Sequence, residues 1–275
     1  MPELPEVETV VRQLRATVLG RCIENVRLSG LPLRRPIDEA LPGRLCGRKI
    51  SAVSRRGKYI IVTLEPHAFL LIHLGMTGAV FFRKQESDEE QSKHVHAIMR
   101  FADGTVLAYR DPRRFGLIAF YEIASMENIP EIAALGKDPL ERDFTGRRLT
   151  AWLGNCRRDI KTFLLDQRFI AGLGNIYVCE ALFLAGIHPE RCCDGVRDEE
   201  AVRLAAAVRR VLRAAIKHNG TSFSDYRDAG GQRGDNQRFL KVFQREGEPC
   251  HRCGTEIRRI SQSGRSSFYC PSCQH

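Results

Sequence analysis

Tyr59-Ile60-Ile61-Val62-Thr63-Leu64 and Phe69-Leu70-Leu71-Ile72-His73 are two short apolar runs, the first entered from Lys58, separated by the four residues Glu65-Pro66-His67-Ala68. Runs of this length, rich in β-branched and aromatic residues and bounded by Pro and charge, read as strands. Six more runs of the same kind surround them: Cys22 to Leu28, Arg48 to Val53, Ala79 to Phe82, Val95 to Phe101, Val106 to Tyr109 and Leu117 to Tyr121. Gly, Pro and Asp punctuate the series. About eight strands at this spacing predict an antiparallel sandwich or flattened barrel.

Outside the strand block the period changes. Glu3 to Leu19 carries Val7, Val10, Val11, Leu14 and Val18 on one face, the spacing of an amphipathic helix, and Gly20 ends it. The acidic run Gln85 to Ser92 reads as an exposed hairpin loop. Glu127 to Phe144, with Pro130, Gly136 and Asp138-Pro139, reads as a linker. Helices follow at Thr145 to Leu153, Ile160 to Leu165, Asn175 to Leu184 and Asp198 to His218. The fold class is therefore α+β in two domains, a helix and antiparallel β-sandwich followed by a helical part.

The chain has 275 residues, 43% of them hydrophobic, enough for one large or two modest cores. It contains neither a run of about 18 to 20 apolar residues nor a signal peptide, so a cytoplasmic protein is expected. Net charge is +10 and the isoelectric point about 9.3, which favours a polyanionic partner.

Four of the ten cysteines are spaced as metal ligands. Cys250-x2-Cys253, sixteen intervening residues, then Cys270-x2-Cys273 is the pattern of a tetrahedral four-cysteine zinc site. With no open position the zinc would be structural; the alternative is a pair of disulfides. Arg258, Arg259 and Arg265 with Phe268 and Tyr269 lie between the two pairs, as in a β-hairpin with a basic face able to contact phosphate. The other six cysteines lack such spacing and read as reduced thiols.

Further stretches carry chemistry, each with a plain structural alternative. Met1-Pro2-Glu3-Leu4-Pro5-Glu6-Val7-Glu8 crowds prolines and acids at a helix start. With Met1 removed, Pro2 is a secondary amine beside carboxylates. An α-amino group is roughly 10 to 15 per cent free base at pH 7, against about 0.04 per cent for a lysine. Such an amine can attack a sugar C1′ or a carbonyl to give an iminium; the alternative is a simple helix cap. Lys58 and His73 stand at opposite ends of their strands, and Met76 follows in a Gly-bounded turn. Asp111-Pro112-Arg113-Arg114-Phe115-Gly116 projects cations and an aromatic, as a solvated turn does and as a wedge into a base stack requires. Gly172-Leu173-Gly174-Asn175 opens a helix whose N-terminus favours an anion. The polar, glycine-rich stretch from Asn219 to Asn236 reads equally as a lid or a linker.

Taken together, Pro2 to Glu8, Gly174-Asn175-Ile176-Tyr177 and Arg265 to Gln274 resemble the bacterial formamidopyrimidine-DNA glycosylases, essentially from Pro2 to Gln274. The resemblance implies a catalytic helix and sandwich domain over 1–126, a linker over 127–144, a helix-two-turn-helix DNA-binding domain with a lesion-recognition loop over 145–247, and a zinc hairpin over 248–275. It implies a bifunctional glycosylase and abasic-site lyase that removes 8-oxoguanine and formamidopyrimidines through a proline Schiff base and β,δ-elimination. Pro2 matches the nucleophile, Glu3 the general acid/base and Glu6 a residue ordering the site. Lys58, His73, Asn175 and Arg265 match groups gripping phosphates, Lys58 and Arg265 also the proton donors of the two eliminations. Met76, Arg113 and Phe115 match the trio filling the vacated stack, and Lys161 a lysine near the lesion pocket. One structural Zn2+ and no organic cofactor are implied, with damaged double-stranded DNA as partner, no membrane, a monomeric state and nucleoid association through DNA. Two positions depart from the family pattern: Asn219-Gly220 for Gly-Gly and Phe243-Gln244 for Tyr-Gly. The rival readings are an endonuclease VIII-like enzyme for oxidised pyrimidines, which Leu4 and the Arg113 to Phe115 turn disfavour, and a non-enzymatic zinc-ribbon DNA-binding protein.

Overall fold

The computed structural model describes residues 1–85, 92–223 and 226–275. The loop expected over Gln85 to Ser92 lies, apart from its end residues, outside the described residues. Two compact units are present, one of residues 1–133 with 218–237, the other of residues 134–217 with 238–275.

The first unit opens with α1 (Leu4–Val18), then β1 (Ile23–Leu28), α2 (Leu41–Leu45), β2 (Ile50–Arg56), β3 (Tyr59–Leu64), β4 (Ala68–His73), β5 (Ala79–Arg83), β6 (Val95–Phe101), β7 (Val106–Arg110) and β8 (Leu117–Tyr121). All eight expected strands form. They make two antiparallel four-stranded sheets, β1-β6-β7-β5 and β2-β3-β4-β8. One core holds them: Val26, Val80 and Met99 come from the first sheet, Val53, Ile60, Val62, Leu70 and Ile72 from the second, and Val10, Val11, Leu14 and Val18 from the apolar face of α1. The flattened sandwich thus follows from the alternation of the strands, and the helical stripe closes it. The short α2 carries Pro42 and Gly43, which hide it from a periodicity reading; it forms where Leu41 and Leu45, one turn apart, both bury.

The short α3 (Pro130–Ala133) ends the first stretch of the first unit; in the second unit come α4 (Gly146–Leu153), α5 (Ile160–Leu165), α6 (Asn175–Ala185) and α7 (Asp198–Lys217), then the hairpin β9 (Arg258–Gln262) and β10 (Arg265–Tyr269). Caps set the helix starts: Thr145 accepts the Arg148 N–H at 3.2 Å, and Asp159 accepts that of Thr162 at 2.7 Å. Gly186, at φ 74°, ends α6 in the left-handed region. The segment His218–Gln237 packs with the first unit, whereas the sequence reading grouped it with the helices before it. Its hydrogen bonds to α1, described below, explain the difference. Both departures from the family pattern fall at left-handed residues, Asn219 at φ 56° and Gln244 at φ 57°. Asn visits that region readily; Gln carries a strain that Gly would not. Among the described residues, no helix is long and apolar enough to cross a membrane.

Candidate active site

The start of α1 is buried. Pro2 is enclosed, and Glu3 and Glu6 are 2% and 1% exposed. Buried acids need hydrogen-bond donors, and here the backbone supplies them. Glu3 and Glu6 form a capping box, within which Glu6 Oε2 accepts the Glu3 N–H at 2.8 Å. Glu6 Oε1 accepts the Thr221 N–H at 2.7 Å. Gly220 fits this approach in two ways: its φ is 80°, and a Cβ there would lie 2.8 Å from Glu6 Oε1. One carboxyl group therefore ties the helix start to the segment after Asn219.

The antiparallel register gathers a second set of groups at one end of the sandwich. Tyr59 pairs with His73 and His73 with Leu117, so the starts of β3 and β8 and the end of β4 share an edge. Lys58, His73 and Phe115 come together there. The chain changes sheet twice at this end, through residues 74–78 between β4 and β5 and residues 111–116 between β7 and β8. The two crossings touch. A Cβ on Gly75 would lie 2.6 Å from the Gly116 nitrogen, and one on Gly116 would lie 1.7 Å from the Tyr109 hydroxyl. Asp111, fully buried, joins them: Oδ1 accepts from the Thr77 hydroxyl at 2.6 Å and Oδ2 from the Gly116 N–H at 2.8 Å. The Thr77 oxygen also accepts the Arg113 N–H at 3.2 Å. On this rigid base Met76 and Phe115 remain 40% and 46% exposed, and the Arg113 guanidinium lies 4.7 Å from the Phe115 ring centre. Two large apolar side chains held out on interlocked turns, with a cation stacked on one, have the form of a wedge.

In the second unit, Gly172 (φ 95°) and Gly174 lead into α6 at Asn175. Asn175 Nδ2 donates to the Ser266 carbonyl at 2.9 Å, and Lys161 Nζ donates to the same carbonyl at 2.9 Å and to Ser267 Oγ at 2.6 Å. Both side chains thus hold β10 just beyond Arg265, which is itself exposed. Lys161 is 1% exposed; it also borders an open cleft of about 230 Å³ with Arg158, Asp166, Gln262 and Arg265.

The four expected cysteines converge, with all Sγ atoms within 4.8 Å of one another. Cys253 and Cys270 are 3.5 Å apart and Cys250 and Cys273 4.0 Å. A tetrahedron of Zn–S bonds near 2.3 Å has edges of about 3.8 Å, so the thiols fit zinc.

Residues 1–118 match the formamidopyrimidine-DNA glycosylase N-terminal domain, residues 135–227 the H2TH domain of the same enzymes, and residues 247–275 the zinc finger found in FPG and IleRS. The formamidopyrimidine-DNA glycosylase of Heliobacterium modesticaldum is 44% identical, covering 100% of both chains. This chain belongs to the formamidopyrimidine-DNA glycosylase family. The fold agrees: a mutant Lactococcus lactis FPG in complex with Fapy-dG-containing DNA superposes with a TM-score of 0.91 at 35% identity, covering 100% of each chain. The Lactococcus lactis Fpg bound to abasic-site DNA gives 0.90 at 35% identity, covering 99% of each. The zinc centre of this glycosylase is structural, one ion held by four cysteines.

Asp111 escaped the sequence reading, and Glu180 is visible there only as an acid one turn past the Asn175 helix start, without its partners. Asp111 was visible only as the first residue of a turn, because the burial that makes it a junction comes from the sheets on either side. Glu180, the lone acid in the apolar helix α6, accepts the N–H groups of Lys241, Val242 and Phe243 at 2.9 to 3.0 Å. Burial pushes its carboxyl up while those donors pull it down. An acid with no charged neighbour on a buried helix was the available signal.

His73 is held neutral. Burial, then Arg34 and Lys58, lower it from 6.5 to about 3. Its Nδ1 accepts the Gly75 N–H at 3.0 Å, leaving Nε2–H as a donor. Nitrogen-15 NMR is expected to show one neutral tautomer from about pH 5 to 8. Because the folded value lies below the unfolded one, the unfolded chain binds the proton more readily. The associated stability is complete above 6.5 and declines as pH falls toward 3. A His73→Gln variant will therefore lose less stability than the parent on acidification, measured by urea denaturation; equal losses would contradict this.

Proposed function

We propose that this base-excision DNA glycosylase uses the Pro2 amine, freed by loss of Met1, to attack C1′ of an oxidised purine nucleotide. The buried capping box at the start of α1 carries this reading, because it holds Glu3 and Glu6 beside that amine. The departing base takes the glycosidic electron pair, and Glu3 protonates the sugar as its ring opens to the iminium. The iminium acidifies the C2′ proton. Its loss expels the 3′ phosphate, a second elimination expels the 5′ phosphate, and Lys58 and Arg265 serve as proton donors. His73 offers phosphate a neutral N–H. Asn175 lies at a helix N-terminus suited to phosphate, and with Lys161 it positions the strand that bears Arg265. Damaged duplex DNA is the partner, and the net charge of +10 supports association with the nucleoid through DNA.

A base must leave the stack before C1′ can be reached, at a cost of a few kcal/mol. Met76, Arg113 and Phe115 fill the gap, and their rigidity comes from Asp111. Asp111→Ala strips acceptors from buried donors and is expected to lower folding stability by about 2–4 kcal/mol. With 2-aminopurine placed opposite the lesion, its fluorescence change on binding will shrink as the wedge loosens. An unchanged signal at full occupancy would separate Asp111 from the wedge.

Paired single-turnover assays on oligonucleotides containing 8-oxoguanine or thymine glycol test the substrate class. Faster excision of 8-oxoguanine is expected; a clear preference for thymine glycol would favour the endonuclease VIII-like alternative.

A further inference from the structure

The helix that begins at the proposed nucleophile carries a second polar contact with no place in the chemistry above. Gln13 lies seven residues, about two turns, beyond Glu6 on α1 and shares its face. Its Nε2 donates to Asp228 Oδ2 at 2.6 Å, and its Oε1 accepts the Ala229 N–H at 2.7 Å. Asp228 and Ala229 are 4% and 2% exposed. The other oxygen of Asp228 closes a turn, accepting the N–H groups of Gly230 at 3.0 Å and Gln232 at 2.7 Å. The Ala229 carbonyl accepts the Phe82 N–H of β5 at 3.0 Å. Glu6 holds the entering limb of this same segment through Thr221 at 2.7 Å, and the Tyr226 hydroxyl donates to the Glu6 carbonyl at 3.3 Å. One helix therefore grips the segment at both limbs.

We infer that Gln13 and Asp228 form a positioning pair that docks the lesion-capping loop on the catalytic helix, making base excision depend on a clamp outside the chemical site. The inference rests on taking this segment as the lesion-recognition loop of the family resemblance, and on its lid reading, in which it covers the extruded base. Chemistry accounts for the residue type. The position must donate to a carboxylate and accept from a backbone N–H at once, which a primary amide does and a carboxylate or an alkyl chain does not. Because the loop meets the base, its position matters for a nucleotide that still carries one. A ready-made abasic site presents C1′ to the amine with no base to hold. The clamp therefore separates two activities of a single nucleophile.

The test uses the full-length protein in single turnover on duplexes bearing 8-oxoguanine or a preformed abasic site, with borohydride trapping on the second. Gln13→Leu removes both bonds at similar volume; excision is expected to fall about tenfold or more, while cleavage of the abasic duplex stays within about twofold of the parent. Gln13→Glu sets two acceptors against each other and will impair excision similarly. Adding Asp228→Asn to Gln13→Glu exchanges carboxylate and amide, keeps an acceptor for Ala229 and for the Gly230 turn, and will restore most of the excision rate. Unchanged excision in Gln13→Leu, or failure of the exchange to rescue, overturns the proposal. Equal loss on both duplexes overturns it too, since that is the signature of a residue that merely stabilises α1. A parent protein that traps no adduct on abasic DNA removes the underlying mechanism, an outcome seen before any variant is made.

Discussion

Molecules that retain Met1 are expected to form no covalent adduct with abasic DNA, and the trapped fraction of any preparation will equal the fraction whose mass lacks that methionine. The reason is electronic. While Met1 is attached, the Pro2 nitrogen is an amide whose lone pair is delocalised into the carbonyl; once free, it is an amine partly unprotonated near neutral pH. In the structure Pro2 is buried while Met1 is 51% exposed, which leaves the methionine open to an aminopeptidase. Loss of nucleophilic catalysis together with a misplaced terminus predicts at least about a thousandfold fall in excision. Pro2→Gly will also lose the adduct, since a primary amine on a flexible residue is not held by a ring packed at the helix start. Intact-mass spectrometry before and after borohydride reduction measures both fractions on one sample. Adduct on Met1-bearing molecules would move the nucleophile elsewhere, and Lys58 would be the first candidate to map.

The sandwich was legible because its strands alternate or run apolar at the length of a strand, and nothing in Tyr59 to His73 competes with that reading. α1 was legible for the same reason at the helical period. Local patterns carried no information on which turns would touch. Gly75, Gly78 and Gly116 were visible as glycines, but only the exchange of β4 to β5 and β7 to β8 between sheets brings Gly75 against Gly116 and sets both Gly78 and Gly116 against the Tyr109 hydroxyl. Asp111 and Gln13 belong to the same class: polar residues on ordinary-looking elements whose partners lie 34 and 215 residues away in sequence. The cysteine set is the opposite case. Its spacing encodes its geometry, and the thiols meet as the spacing requires. The stretch from Asn219 to Asn236 was ambiguous between lid and linker because the contacts of its described residues Thr221, Tyr226, Asp228 and Ala229 are made with α1, far upstream, and are not written in its own composition.

Removal of the zinc is expected to abolish tight DNA binding while most of the fold persists. The hairpin has two independent anchorages, and they fail differently. At its tip, Lys161 and Asn175 hold the Ser266 carbonyl at 2.9 Å each. At its base, Cys250 and Cys270 are packed in one cluster with Phe183, Val242, Phe243, Ile257 and Phe268, and the thiols close around the metal. Four thiols within 4.8 Å of one another gain no cohesion without the ion, whereas structural zinc contributes about 10–16 kcal/mol in small isolated modules. The base therefore opens first, and two polar anchors at the tip cannot hold a two-stranded ribbon, which is marginal alone. The sandwich core of the first unit contains none of these residues, so thermal unfolding of that unit should change little. Cys253→Ser, or chelation of the parent, is expected to weaken binding of an abasic-site duplex by about a hundredfold or more, and to flatten its salt dependence. Every phosphate that Arg258, Arg259 or Arg265 ceases to neutralise lowers the slope of log affinity against log salt by about 0.9. Fluorescence anisotropy across a salt series, with metal content by atomic absorption, reads both quantities. A metal-free protein with full affinity and an unaltered slope would show that the hairpin folds without its ion and that its arginines are not what grips the strand.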